Sequence, residues 1–103
     1  MDLEAKKQEI DALVKSEKVV LFMKGNKMAP MCGFSAHVVQ LLLNSGVDFE
    51  TRDVLTDEAL RGAIKEYSDW PTLPQLYVGG EFVGGCDIVN ELHQSGELDK
   101  ILA

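Results

Sequence analysis

Cysteine is scarce in this chain: among 103 residues there are only two, Cys32 and Cys86. Two cysteines cannot cross-link a small secreted scaffold, so the sequence excludes a disulfide-rich fold. One chain also cannot supply the four cysteines of a closed zinc site. The length and the 46% of hydrophobic residues are those of one ordinary domain, and we expect a single domain over residues 1–103.

Positive charge and long apolar runs are lacking as well. Ten Lys and Arg stand against 17 Asp and Glu, which gives a formal net charge of -7. Nucleic acid is therefore not an expected partner, because contacts to phosphate need clustered basic side chains. No apolar run has the length of a membrane span, and the acidic start Met1–Ala5 lacks the apolar core of a signal peptide. We expect a protein that is neither secreted nor bound to a membrane.

In the first half of the chain, the spacing of apolar residues predicts a helix, a strand and a second helix. The first helix is expected over about residues 2–16, because its apolar side chains recur on one face. The run Val19–Met23 predicts a strand buried on both faces, and the segment from Gly25 to Met31 is predicted to be a loop. The second helix should follow Cys32 and end near Gly46. Its apolar stripe consists of Phe34, Val38, Leu41 and Leu42, widened by Val39 and Leu43.

A second strand and a third helix are expected next. Apolar and charged residues alternate over Val47–Arg52, which predicts the strand. Strand, helix and strand in this order form a right-handed crossover with parallel strands. Thr56 is the expected N-cap of the third helix, because its hydroxyl can accept a hydrogen bond from a free backbone N–H group. The buried stripe of that helix should consist of Leu60, Ile64 and Tyr67.

A hairpin and two helical segments are expected in the last third of the chain. Gln75–Val78 and Glu81–Val83 flank Gly79-Gly80, a pair that suits a tight two-residue turn. Apolar residues within 88–92 and 98–102 mark the helical segments. The complete order, α-β-α-β-α-β-β-α-α, resembles the thioredoxin fold of the α/β class. That fold has a four-stranded mixed sheet flanked by helices, and a further helix stands here at the N-terminus.

Cys32 is the residue best placed to carry chemistry. It lies where the first strand and its loop lead into a helix, and helix N-terminal N–H groups stabilise a thiolate, the reactive form of cysteine. Lys24, at the end of the strand, can add a nearby positive charge, and Gly33 allows another molecule to approach the sulfur. The alternative is a small buried apolar residue, but a Cys-Gly pair at a helix start fills a core poorly.

The residue three positions after Cys32 is Ser35, and this restricts the chemistry. In a Cys-x-x-Cys site the second cysteine resolves a mixed disulfide by internal attack, which a serine hydroxyl cannot do. A disulfide between Cys32 and a partner therefore needs an outside thiol for its resolution. A small and abundant thiol such as glutathione is the expected one.

Three separated motifs carry a family resemblance. Cys32–Ser35 reads CGFS and follows Lys24-Gly25, Trp70–Gln75 reads WPTLPQ, and Gly84–Ile88 reads GGCDI. Together they resemble the monothiol glutaredoxins of the CGFS type, in the single-domain form. The resemblance covers nearly the whole chain and implies a glutathione site.

The resemblance also implies a role for five residues in binding glutathione. Lys24 and Arg61 match the cations that hold the glycine carboxylate, and carboxylates pair well with ammonium and guanidinium groups. Leu73, before a proline that is cis in this family, would pair its backbone with the cysteine of glutathione. The backbone of Cys86 and the carboxylate of Asp87 would hold the γ-glutamyl end. Each position taken alone also fits an ordinary surface, turn or helix-start residue.

The sulfur of Cys86 has two interpretations. In the first, it is an inert side chain at the start of a buried helix. In the second, it forms a disulfide with Cys32 under oxidation, since the family fold brings the two regions together.

The family further implies a [2Fe–2S] cluster. Four thiolates normally hold such a cluster, and one chain offers one credible ligand, Cys32. The implied assembly is a homodimer in which each subunit contributes Cys32 and one glutathione, whereas the apo form is a monomer. A cluster held in this way is labile, which suits transfer to apo iron–sulfur proteins. BolA-like proteins are further partners that the resemblance implies.

Two functions of different classes remain open. In the first, the protein is a carrier that takes a glutathione-coordinated [2Fe–2S] cluster to apo-proteins. In the second, it is an oxidoreductase in which Cys32 deglutathionylates protein thiols. The resemblance favours the carrier, with weak oxidoreductase turnover at most. Members of the family occur in the bacterial cytoplasm and, after removal of a transit peptide, in the mitochondrial matrix or plastid stroma.

Overall fold

Helices and strands alternate along most of the chain in the computed structural model, which describes residues 3–103. The helices within these residues are α1 (Leu3–Ser16), α2 (Gly33–Asn44), α3 (Glu58–Ser68), α4 (Cys86–Ser95) and α5 (Glu97–Leu102). The strands are β1 (Val19–Met23), β2 (Gly25–Asn26), β3 (Ala29–Pro30), β4 (Glu50–Asp53), β5 (Gln75–Val78) and β6 (Glu81–Gly84). The expected first helix is confirmed from residue 3 onward, and residue 2 lies outside the described part. None of the described helices combines the length and the apolar character that crossing a membrane requires.

Four strands form a mixed sheet in the order β4-β1-β5-β6. β1 pairs with β4 in parallel and with β5 in antiparallel orientation, and β5 and β6 form the predicted hairpin. This arrangement confirms the thioredoxin fold that the element order predicted. The central strand β1 is completely buried, as its uninterrupted apolar run indicated.

The sheet separates two hydrophobic cores, because side chains of a strand point alternately to its two faces. Val19, Leu21 and Met23 of β1 belong to one core, together with residues of α2, α4 and α5. Val20 and Phe22 belong to the other core, together with residues of α1 and α3. The segment between β1 and α2 is therefore attached to a strand whose side chains are packed into both cores.

The segment from Gly25 to Met31 is not a plain loop, contrary to the expectation. β2 and β3 form a small antiparallel ribbon within it, in which Gly25 pairs with Pro30. The carboxamide oxygen of Asn26 accepts hydrogen bonds from the N–H groups of Met28 and Ala29, at 2.9 and 3.0 Å, and so closes the turn. Strands of two residues are too short to leave a periodic pattern in a sequence, which is why this ribbon was not predicted.

Three further expectations are corrected. Phe34 and Leu43, assigned to the buried stripe of α2, are 63% and 52% exposed, because α2 covers the sheet with a narrower face than its apolar residues suggest. The second strand begins at Glu50, not at Val47. The N-cap of α3 is Asp57, whose side chain accepts a hydrogen bond from the N–H of Leu60 at 3.0 Å.

The Asp57 cap also connects α3 to α1, and it gives the fold an acid-sensitive contact. Lys6 donates a hydrogen bond to the Asp57 carboxylate at 3.1 Å. The backbone N–H of Leu60, and then Lys6, hold the pKa of Asp57 below its usual value of 3.8. Because the folded state lowers this pKa, the stabilisation is present above pH 3.8 and is lost as the pH falls through the folded value.

We expect Asp57→Ala to reduce the free energy of unfolding by about 0.5–2 kcal/mol at neutral pH, the usual cost of a lost N-cap. Urea unfolding monitored by circular dichroism measures this cost. The difference from the wild type should shrink at pH 3, because the stabilisation by the ionised carboxylate decreases once the pH falls below 3.8 toward the folded pKa. Asp57→Asn keeps a capping oxygen and should show a smaller loss, and an unchanged difference at pH 3 would contradict the assignment.

Candidate functional site

A cleft of about 450 Å³ opens beside the start of α2. It is bounded by three walls, which come from α3, from the segment before β5 and from the start of α4. All six residues that the sequence singled out line this cleft: Lys24, Cys32, Arg61, Leu73, Cys86 and Asp87.

Cys32 is the N-cap residue of α2, as its position in the sequence predicted. Its backbone is extended, with φ -154° and ψ 138°, and its side chain is half-buried. The pKa of the Cys32 thiol lies below its usual value of 9.0, above all because the backbone N–H of Ser35 points toward the sulfur. The N–H of Phe34 and the charge of Lys24 act in the same direction, against the opposing effect of burial. The surroundings of Cys32 therefore favour the thiolate more than water does around a free cysteine.

Ser35 does not face the cleft. Its side chain is completely buried, and its hydroxyl oxygen accepts a hydrogen bond from the backbone N–H of Lys24 at 3.2 Å. The fourth residue of the CGFS motif therefore attaches the start of α2 to the end of β1. A hydroxyl is not a redox nucleophile, so Ser35 cannot resolve a disulfide formed on Cys32.

The backbone around Lys24 is held from two further sides. Its carbonyl oxygen accepts a hydrogen bond from the N–H of Met31 at 2.9 Å. The N–H of the next residue, Gly25, donates to the Asp53 carboxylate at the end of β4, at 3.0 Å. Lys27 donates to the carbonyl oxygen of Phe49 at 2.8 Å and thus connects the β2–β3 ribbon to the segment before β4. These contacts fix the strand end from which the Lys24 side chain extends.

Three cations line the cleft: Lys24, Arg61 and Lys65. Arg61 and Lys65 are four residues apart in α3, so they lie on one face of that helix. This concentration of positive charge occurs in a chain with a net charge of -7, and it makes the cleft suitable for a carboxylate. Lys65 was not identified from the sequence, although its spacing from Arg61 was a usable signal.

Cys86 and Asp87 form the opposite wall, at the first turn of α4. Burial, and then the negative charges of Asp87 and Cys32, raise the pKa of the Cys86 thiol above its usual 9.0. The two cysteines are free thiols, and their surroundings shift their pKa values in opposite directions, downward for Cys32 and upward for Cys86.

The third wall is the segment Trp70–Leu73, which ends at a cis peptide bond between Leu73 and Pro74. The cis bond is the one that the family resemblance implied. Trp70 is 40% exposed and its ring lies 6.0 Å from that of Phe82 in β6. Phe34, which the sequence pattern had assigned to the core, also lines the cleft.

The family profile that describes glutaredoxins matches residues 19–83. A monothiol glutaredoxin of the ycf64-like type from Synechocystis is 59% identical over 96 residues, which cover 93% of this chain and 90% of the relative. The chain belongs to the monothiol glutaredoxins.

Solved structures of similar proteins agree with this assignment. The solution structure of reduced poplar apo GrxS14 has a TM-score of 0.85 and 53% identity, and the match covers 97% of this chain and 93% of that one. A crystal structure of a buckwheat glutaredoxin–glutathione complex has a TM-score of 0.87 and 29% identity, with coverage of 97% and 89%.

Within residues 3–103, no group of three or more His, Cys, Asp or Glu side chains is arranged to hold a metal ion. Cys32 itself fits a metal, because a half-buried thiolate with a lowered pKa is a good ligand for iron.

The difference between the two thiols of this glutaredoxin can be measured by alkylation. At pH 7 to 8 we expect iodoacetamide to modify Cys32 well before Cys86, because alkylation needs the thiolate and the pKa shifts have opposite signs. Mass spectrometry of peptides after timed quenching gives both rates. The Cys32 rate should level off as the pH rises through a value below 9.0. Equal rates for both thiols would contradict the electrostatic description of the cleft.

Proposed function

We propose that this glutaredoxin carries a [2Fe–2S] cluster, held between two copies of the chain by Cys32 and glutathione. The observation that carries the proposal is one thiolate-favouring cysteine at the mouth of a cleft suited to glutathione. Two copies supply two Cys32 thiolates, and two glutathione molecules supply the remaining pair of the four that such a cluster needs.

The chemistry of the cleft supports glutathione as the ligand. Glutathione has a carboxylate at its glycine end and a carboxylate and an ammonium group at its γ-glutamyl end. Lys24 and Arg61 provide cations for the first end, and Asp87 with the N–H groups at the start of α4 suits the second end. Leu73, between these two, offers its backbone to the central cysteine. Glutathione bound in this way brings its sulfur next to Cys32.

Two further observations support a carrier. Ser35 stands where a Cys-x-x-Cys site has its second cysteine, so the CGFS motif itself offers one thiol and no resolving thiol. Apolar side chains that a second subunit can cover are exposed in the cleft lining, on Phe34 at 63%, and in the segment before Cys32, on Met28 at 89% and Met31 at 67%. The partners that we propose for the carrier are apo iron–sulfur proteins and BolA-like proteins.

The cellular location belongs to the proposal as well. The relatives that match this chain include proteins from the bacteria Synechocystis and Rickettsia and proteins named as chloroplastic from rice and Arabidopsis. The chain spans 55% of the rice protein and 54% of the Arabidopsis S14 protein. We propose the bacterial cytoplasm or an organelle matrix or stroma.

Anaerobic reconstitution with iron, sulfide and glutathione tests the carrier function. We expect a coloured protein whose mass in solution is that of a dimer, and a colourless monomer when glutathione is left out. Visible absorption and light scattering after size exclusion measure the two properties. A colourless monomer in the presence of glutathione would overturn the proposal.

A second candidate function, deglutathionylation, is favoured by the lowered pKa of Cys32. The Cys32 thiolate attacks the glutathione sulfur of a mixed disulfide and releases the protein thiolate. A second glutathione thiolate then attacks the new mixed disulfide on Cys32, which yields oxidised glutathione and regenerates the Cys32 thiolate. The free glutathione is the reductant, because its sulfur is oxidised while the sulfur of the protein substrate is reduced, and no internal second cysteine is needed. Turnover with a glutathionylated peptide tests this function.

A further inference from the structure

The wall Trp70–Leu73 of the cleft belongs to no helix and no strand. It leads from the end of α3 to the start of β5, and all four of its residues line the cleft. An irregular segment has no ladder of backbone hydrogen bonds, so its shape depends on the groups that bond its carbonyl oxygens. The shape of this wall decides how glutathione can lie in the cleft.

Gln75, the first residue of β5, lies behind this wall and does not line the cleft. Its side chain is completely buried. The side-chain amide donates one hydrogen bond to the carbonyl oxygen of Trp70 at 3.1 Å and another to that of Thr72 at 3.2 Å. A single side chain thus holds two of the four residues of the wall.

The orientation of the Gln75 amide follows from its neighbours. Both groups in front of its nitrogen are carbonyl oxygens, which only accept hydrogen bonds, so the NH₂ group must face them. On the other side, the Tyr77 hydroxyl donates to the Gln75 side-chain oxygen at 3.4 Å. Burial of an amide costs free energy unless its hydrogen bonds are made, and here both donors are used on the wall.

The Trp70 backbone also contacts the Ser68 side chain, in addition to that of Gln75. The Ser68 hydroxyl oxygen accepts a hydrogen bond from the Trp70 N–H at 3.1 Å, and the Ser68 hydroxyl also lies 3.5 Å from the Trp70 carbonyl oxygen. These contacts fix the beginning of the wall to the end of α3. Gln75 is the side chain that spans the wall from Trp70 to Thr72, directly before Leu73.

We propose that Gln75 is a positioning residue of the glutathione site, which fixes the wall Trp70–Leu73 through the carbonyl groups of Trp70 and Thr72. The inference rests on the proposed function in one respect, namely that glutathione is the ligand of the cleft. Gln75 acts on the ligand only through the wall. Its removal should therefore change the affinity for glutathione more than a comparable loss of core packing does.

The variant Gln75→Met tests this role, because methionine has a similar length and no hydrogen-bond donor. We expect its dissociation constant for glutathione, measured by calorimetry, to rise about tenfold or more, since two carbonyl oxygens lose their donor. Trp70 is the single tryptophan of the chain, so its fluorescence reports on the wall directly. The emission of Gln75→Met without ligand should differ from that of the wild type.

Val14→Ala is the matched control. Val14 is buried in the core between α1 and α3 and does not line the cleft, so this variant loses stability without a change in the wall. Its affinity for glutathione and its Trp70 emission should equal those of the wild type. Urea unfolding of both variants shows whether they are destabilised to a similar degree. A wild-type affinity of Gln75→Met would overturn the inference.

A measurement on the wild type keeps the inference testable if Gln75→Met does not fold. The side-chain amide protons of Gln75 should exchange with solvent at least about tenfold more slowly than those of the exposed Gln8. The reason is that the two Gln75 protons are buried and hydrogen-bonded to the wall. Exchange of the Gln75 amide protons at the rate of Gln8 would overturn this inference but would leave the proposed function standing. A wild-type protein that does not bind glutathione would instead overturn the proposed function, and this inference with it.

Discussion

A Cys32→Ser variant should react with a glutathionylated peptide at least about a thousandfold more slowly than the wild type, because a serine hydroxyl is not ionised at neutral pH. The same variant should remain colourless and monomeric after anaerobic reconstitution, since it offers no thiolate to iron. Release of the peptide thiol, visible absorption and mass in solution measure these effects. No other described side chain combines the position of Cys32 at the start of α2 with a lowered thiol pKa.

Cys86→Ser is the matched control for this experiment. Cys86 lies in the same cleft, but its raised pKa keeps it neutral, and the part we propose for it in binding belongs to its backbone. We expect this variant to react at the wild-type rate and to form the coloured dimer. A loss of reaction in Cys86→Ser as large as in Cys32→Ser would show that Cys86 resolves a disulfide with Cys32. The two free thiols would then act as a pair.

Gly25→Ala should distort the β2–β3 ribbon that precedes Cys32. Gly25 has a φ of +88°, and a Cβ atom there would lie 2.4 Å from the carbonyl oxygen of Ala29 and 2.7 Å from the nitrogen of Met31. We expect the free energy of unfolding to fall by about 3 kcal/mol or more. The left-handed backbone of an alanine at this position accounts for about 1–2 kcal/mol of this loss, and the clash of its Cβ atom accounts for the rest. Urea unfolding measures the sum.

Gly46→Ala separates these two contributions. Gly46 follows α2 with a φ of +75°, and nothing lies within 4 Å of the Cβ position. This variant should lose only the cost of the left-handed backbone. Because Gly25 pairs with β3 directly before Met31 and Cys32, Gly25→Ala should also weaken glutathione binding, whereas Gly46→Ala should not. Equal destabilisation by both substitutions would show that the ribbon yields to the added methyl group.

The residues by themselves identified part of the site. The helix that begins after Cys32, the strand end at Lys24 and the absence of a resolving cysteine at Ser35 are all local features. Arg61, Leu73 and Asp87 came from the family resemblance, because no local pattern distinguishes them from ordinary surface, turn and helix-start residues. The fold brings all of these side chains except Ser35 to one cleft.

Other features of the site needed the tertiary structure. Phe34 repeats at helical spacing like a core residue, yet α2 is turned so that Phe34 lines the cleft. Asp57 and Thr56 are both good capping residues. In the structure Asp57 caps α3, and its carboxylate also accepts a hydrogen bond from Lys6 of α1. Gln75 reads as an ordinary polar residue until its amide is found against two carbonyl oxygens.

The sequence alone determined the order of the helices and of the four strands of the main sheet, the position of Cys32 at a helix start and the need for an outside thiol. These properties depend on residues close together in the chain, whose spacing and chemistry can be read directly. Only the tertiary structure decided that the pKa of the Cys86 thiol is raised, that Ser35 is buried and that the Gln75 amide bonds two carbonyl oxygens of the wall. A pKa and a hydrogen bond depend on which groups lie within a few ångströms, and packing brings such groups together from distant parts of the chain.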